Sequence, residues 1–150
     1  LGDVYKRQAL MDSIALAMPI GLGLVRIGNF LNGELFGRPT NGEWGFIFPT
    51  DPLGIPRHPS QLYECFLEGI ILFFVLNYIA RQNVAKGVTA SALLIFYGLF
   101  RFIVEFFRQP DIHIGLIAFD LSMGQILSLP MMIIGLVLVV VFQRNNATIS

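Results

Sequence analysis

The chain has 150 residues, room for one domain or part of a larger one. Ten basic residues balance ten acidic ones, which gives no support to a polyanion partner, and the single cysteine, Cys65, excludes an internal disulfide framework or thiolate metal cluster. Apolar residues make up 55% and charged residues 13%, half the share usual in soluble domains, and the mean hydropathy is +0.68.

The first eight residues, LGDVYKRQ, are polar and match nothing after them. They read as a non-native N-terminus, and residues 9–150 as a partial transmembrane domain. A spanning helix needs about 20 mostly apolar residues. The first such run extends from Leu10 to Leu31 and ends in polar groups. Arg26 and Asn29 lie three apart, on one helical face. Asn32 and Glu34 follow, with Arg38 four beyond Glu34, on the same face if the helix continues. An arginine alone at this depth snorkels to the lipid surface. That explains Arg26 but not the asparagines and glutamate beside it. Gly28, Gly33 and Gly37 permit close backbone approach.

The next stretch, NGELFGRPTNGEWGFIFPTDPLGIPRHPS, is too dense in glycine and proline for helix. Phe36, Trp44, Phe46 and Phe48 argue for an ordered cap at the membrane surface, with a short strand at WGFIF. The second helix is expected over Gln61–Ala80, with Pro59 at its entry and Ser60 as N-cap. Gln61, Glu64 and Glu68 recur at helical spacing and are expected to face the arginines. His58 is a candidate acid–base group or a structural histidine. Cys65, among apolar residues, reads as a small hydrophobe.

The third helix is expected over Val88–Phe107. Its residues Tyr97, Arg101, Glu105 and Arg108 follow at steps of four, four and three, which places them on one face. An Arg101–Glu105 pair neutralises itself, but a second arginine and a tyrosine exceed what neutralisation requires. Charges at bilayer depth are costly and mark function. The fourth helix is expected over Ser122–Phe142, kinked at Pro130. Ser122, Gln125 and Ser128 are expected to hydrogen-bond to neighbouring helices. Arg81, Lys86 and Arg144 place their ends, and Ser150, in the cytoplasm, and the long cap with Trp44 outside.

The fold expected is therefore an all-α membrane protein of about four helices with a long ordered outer loop. Arginines bind phosphate bidentately. A phospholipid headgroup is the phosphate available at that depth. No Walker loop, HExxH motif or Cys/His set occurs, so no metal or cofactor is expected. Nucleic acid is not expected as a partner. A transporter or a non-catalytic lipid-binding protein is the rival reading; no internal repeat of the transporter kind is seen.

Three segments, VRIGNFLNGELFGRPT, PRHPSQLYE and YGLFRFIVEFFRQPD, occur in an order that closely resembles the prolipoprotein diacylglyceryl transferases. The resemblance spans Asp12 to Gln125. Val25, Leu31 and Phe36 replace a usual glycine, isoleucine and tryptophan, and every polar group of the signature is kept. The resemblance implies an inner-membrane enzyme of bacteria with about seven helices and its active site towards the periplasm. Such an enzyme moves a diacylglyceryl group from phosphatidylglycerol to the lipobox cysteine of a prolipoprotein, whose signal peptide it also binds. Arg26 matches the lipid-binding arginine and Arg101 the second essential one. Asn29, Glu34, Gly37, Tyr97 and Glu105 match other functional positions. Arg38, Gln61, Glu64 and Arg108 read as supporting residues. The family's proposed base histidine lies upstream of this chain, and His58 matches a different one. The chain thus resembles the C-terminal half of the enzyme and is expected to be inactive alone.

Overall fold

The computed structural model describes residues 2–109, 116–118 and 121–149. Four helices form the body: α1 (Gly2–Asn32), α2 (Ser60–Ala80), α3 (Val88–Val104) and α4 (Met123–Ile149). α1, α2 and α4 are long and apolar enough to cross a membrane, and α3 is a shorter apolar helix of 17 residues. Their apolar residues face largely outward: Leu24, Phe74 and Leu136 are each more than half exposed, as suits a lipid-facing surface. The chain is an all-α membrane protein.

The helix boundaries differ from those expected, for local reasons. α1 begins at Gly2 and runs without a break through residues 2–8 and through Pro19. α2 begins at Ser60, but the N-cap is Pro59, not Ser60, whose hydroxyl instead donates to the Leu35 carbonyl at 3.2 Å. Within α2, Cys65–Ile71 is wound as a π-helix. α3 stops at Val104 rather than Phe107, where the backbone tightens into i→i+3 bonds such as Phe107 N–H to the Val104 carbonyl at 2.9 Å. Glu105 and Arg108 therefore lie just beyond the helix.

Ser122 precedes α4. The backbone N–H of Gln125 donates to the Ser122 hydroxyl (3.3 Å), and that of Ser122 to Gln125 Oε1 (3.1 Å). This reciprocal pair is a capping box. The Ser128 hydroxyl donates to the Gly124 carbonyl of its own helix. The interhelical bonds expected of these three residues are thus replaced by local ones. α3 and α4 instead approach closely at glycines, backbone against backbone. A Cβ on Gly98 would sit 3.0 Å from the Ser128 carbonyl, and one on Gly135 would sit 2.9 Å from that of Ser91. Small residues set such contacts in membranes. Pro130 lies inside α4.

Most of the third connection falls outside the described residues. Two short antiparallel strands not expected from the sequence, β1 (Leu116–Ala118) and β2 (Leu121–Ser122), lead into α4.

Asp12 ties the far end of the bundle together. Its carboxylate accepts the backbone N–H groups of Gly87 (2.7 Å) and Ala90 (2.8 Å), at the start of α3. The first donors of a helix have no partner within it, and lipid offers none. From Asp12 to Asn32, α1 covers about 30 Å, the thickness of a hydrocarbon core.

Residues 33–59 form the cap at the opposite end. No continuous strand forms at WGFIF. Single bridges join Phe46 and Pro39 to Arg57, and Gly37 to Arg108. Gly37 N–H donates to the His58 carbonyl (2.8 Å), and Arg38 N–H to that of Phe107 (2.9 Å). The cap is thereby stitched to the end of α3. Proline and glycine interrupt any longer ladder. Phe30 and Phe36 pack against Phe48, which is 1% exposed, and Phe46 covers them from the exposed side.

Candidate functional site

α1 and α3 run side by side with α2, and their ends beneath the cap bring three helices' charges together. Arg26 Nε pairs with Glu64 Oε2, and Arg26 Nη2 lies 4.0 Å from Glu68 Oε2. Arg101 Nη1 lies 3.5 Å from Glu64 Oε1 and 3.9 Å from Glu68 Oε1. Arg101 Nη2 lies 3.3 Å from Glu105 Oε2. Each carboxylate of α2 therefore straddles the two guanidiniums, one oxygen towards each. Glu64 and Glu68 are buried, at 1% and 0% exposure, and Glu105 at 6%. Isolated charges are not tolerated in such a setting, but three carboxylates against two guanidiniums form a network.

The backbone places these groups. Gly69 of the π-wound segment packs on Gly23 of α1. A Cβ on Gly69 would lie 2.9 Å from the Gly23 Cα, so the two helices touch by backbone about one turn from Arg26 and directly beside Glu68. Glu105 also faces the first turn of α4, since a Cβ on Gly124 would meet its Oε2 at 2.7 Å. The N-terminus of a helix favours a carboxylate. Tyr97 is half-buried on α3 and sits in the field of Glu68, Arg101, Arg26 and Glu64.

Other residues singled out from the sequence are placed elsewhere. α1 ends at Asn32 and the chain turns at Gly33 (φ 68°) and Leu35 (φ 55°), so Glu34 and Arg38 do not share a helical face. The Glu34 side chain is exposed and makes no ion pair among the described residues. Arg38 Nε donates to the Arg108 carbonyl at 3.0 Å. Gln61 does not face the arginines; its amide donates to the Glu34 carbonyl at 2.6 Å and holds the cap. His58 Nδ1 lies 3.3 Å from the Tyr63 hydroxyl, and its ring meets Phe107 edge to face. It makes no ion pair with the carboxylates among the described residues. Asn29 is half-buried, and its carbonyl accepts Glu34 N–H at 2.9 Å. Arg108 contributes its field at Glu68 from just past α3. Gly33 and Gly37 are close to other atoms, as expected, but a Cβ on Gly28 would meet nothing within 4 Å.

Two determinants of the site went unrecognised in the sequence. One is the π-wound turn that presents Glu64 and Glu68 together. The other is the cap's anchor. Arg57, 3% exposed, holds Asp51 with Nε at 2.6 Å and Nη2 at 3.1 Å, donates Nη1 to Gln109 Oε1, and stacks 4.7 Å from the Phe36 centroid. The Arg57 guanidinium holds the Asp51 carboxyl below the usual carboxylate range.

Two adjacent guanidiniums on a buried carboxylate base, at the membrane end of three helices, suit an anionic oxygen cluster such as a phosphate ester. Residues 4–141 match the family profile described as prolipoprotein diacylglyceryl transferase. The chain is 54% identical over 137 residues to the phosphatidylglycerol–prolipoprotein diacylglyceryl transferase of Geobacter sulfurreducens, covering 91% of this chain and 52% of that protein. It is 55% identical over 128 residues to the enzyme so named from Aeromonas hydrophila (85% and 46% covered), and 50% identical over 140 residues to that of Mannheimia succiniciproducens (93% and 52% covered). The chain spans about half the length of these relatives. A profile match over most of its residues and identity near one half place it beyond ambiguity: this chain belongs to the prolipoprotein diacylglyceryl transferase family.

Proposed function

We propose that the protein to which this chain belongs transfers the diacylglyceryl group of phosphatidylglycerol to the lipobox cysteine thiol of prolipoproteins. The single observation that supports this reading most is the convergence of Arg26 and Arg101 on Glu64 and Glu68 beneath the cap. In the reaction the substrate thiolate attacks the glyceryl carbon that carries the phosphate ester. A C–S bond forms, the C–O bond to phosphate breaks, and glycerol phosphate leaves with the electron pair. The thiol proton passes to a general base.

The nucleophile belongs to the substrate, which agrees with Cys65 lying in an apolar setting on α2. The enzyme's task is to stabilise charge growing on the leaving phosphate. Arg26 binds the phosphatidylglycerol headgroup, with Asn29 and Glu34 near the entrance. Arg101 stabilises the leaving oxygen, positioned by Glu105, with Tyr97 beside it. Gly37 and His58 hold the cap over this end. The protein sits in the bacterial inner membrane with the cap on the periplasmic face, where prolipoprotein signal peptides present their cysteine.

The test is transfer of labelled diacylglycerol from phosphatidylglycerol to a lipobox peptide by the full-length protein in vesicles. Labelled thioether product supports the reading. Phosphatidylglycerol binding without any transfer, or solute flux, overturns it.

A further inference from the structure

Glu68 has the features of a device rather than a ligand contact. It is 0% exposed and lies one turn deeper along α2 than Glu64. Its two oxygens stand 4.0 Å from Arg26 Nη2 and 3.9 Å from Arg101 Nη1. Both oxygens are without a hydrogen bond among the described residues. At these distances it acts through its field on both arginines at once. Arg101, Arg26, Tyr97, Arg108 and Glu64 are the charged and titratable groups around it.

The physics of a long cationic side chain near a membrane end gives this carboxylate its purpose. An arginine left unrestrained at this depth carries its head outward to lipid phosphates. An arginine ordered in advance is already aligned with the phosphate when the bond to it breaks. Glu64 holds the two heads side by side and Glu105 holds that of Arg101, but both lie nearer the cap than Glu68.

We infer that Glu68 is a positioning residue: a floor carboxylate, set by the π-wound turn and the Gly23–Gly69 contact, that keeps Arg26 and Arg101 drawn inward and aimed at one anion between them. This rests on the transferase reading. It carries a consequence that mere structural support lacks. As an anion set beside both guanidiniums, Glu68 opposes anion binding while ordering the arginines. Removing its charge lowers turnover and at the same time tightens the hold on an anionic lipid.

The experiment uses the full-length enzyme in vesicles of phosphatidylglycerol diluted in a zwitterionic lipid, with a lipobox peptide as acceptor. Wild type, Glu68→Gln and Glu68→Asp are compared at equal folded amounts, judged by thermal unfolding in detergent. For Glu68→Gln, kcat is expected to fall about 10- to 100-fold, the scale of a misplaced catalytic group. KM for phosphatidylglycerol is expected to fall with it. Glu68→Asp keeps the charge but shortens the reach, so kcat falls and KM does not. Unchanged kinetics in Glu68→Gln, or a kcat loss with a raised KM, overturns the inference. If Glu68→Gln does not accumulate, Glu68→Asp decides alone: wild-type kcat overturns the inference and a reduced kcat at unlowered KM supports it. Absence of transfer by the wild type is a different failure, that of the transferase reading itself.

Discussion

Gly37 is the point where a single methyl group tests how the cap is held. A Cβ there would lie 2.5 Å from the Phe107 carbonyl oxygen and 2.6 Å from that of His58, about 0.9 Å inside the 3.4 Å of ordinary contact. Both obstacles are backbone and neither can rotate away. Gly37→Ala therefore has to lift the cap off the end of α3, stretching Gly37 N–H to His58 O (2.8 Å) and Arg38 N–H to Phe107 O (2.9 Å). Overpacking costs about 1–3 kcal/mol and each of the two weakened hydrogen bonds about 0.5–1.5 kcal/mol, so a loss of about 2–6 kcal/mol is expected. A displacement near 1 Å at the site can reduce the rate by about 10². Gly28→Ala is the matched control, since its Cβ meets nothing within 4 Å and alanine is the better helix former. Thermal unfolding in detergent and transfer activity are measured on both variants of the full-length protein. A Gly37→Ala variant with wild-type stability and activity refutes the stitched cap.

Three further perturbations probe the frame around the site. Asp12→Ala leaves the Gly87 and Ala90 N–H groups without an acceptor, and at about 1–2 kcal/mol per lost cap a clear drop in thermal stability is expected, with Asp12→Asn in between. Asp51 is held below its unfolded range by Arg57, so its contribution is full above the ordinary carboxylate pKa, near 4, and is lost as pH falls through the lower folded value. Acid titration of Trp44 fluorescence should then show a transition below that range in the wild type that is absent in Asp51→Asn. Cysteine placed at position 84 should label only from the cytoplasmic side, and labelling from the outside would reverse the proposed orientation.

The helices and their charged faces were legible because burial in lipid forces a long apolar run, and a charge inside it stands out. Tyr97, Arg101 and Glu105 share a face by spacing alone, and Glu64 and Glu68 were expected opposite them. What was not legible depends on tertiary context. Nothing local marks Cys65–Ile71 as π-wound; it forms where Gly69 meets Gly23. Asp12 reads as one acid in an apolar helix until the start of α3 is seen beside it. Ser122 and Gln125 did carry a sequence signature, S-x-x-Q, but equal spacing also suits an interhelical seam, and the local bond won. Glu34 and Arg38 were set on one face by assuming continued helix, which Gly33 ends.

The role of the two arginines is tested most directly by Arg101→Lys in the full-length enzyme, assayed for thioether formation on a lipobox peptide at equal membrane levels. Arg101 uses Nη1 towards Glu64 and Glu68 and Nη2 towards Glu105, a fork that one ammonium does not reproduce. Loss of one such donor typically costs about 10²–10³ in rate, and a fall of at least about tenfold is expected here. Turnover close to wild type would make Arg101 a structural partner of Glu105 and place the stabilisation of the leaving phosphate elsewhere.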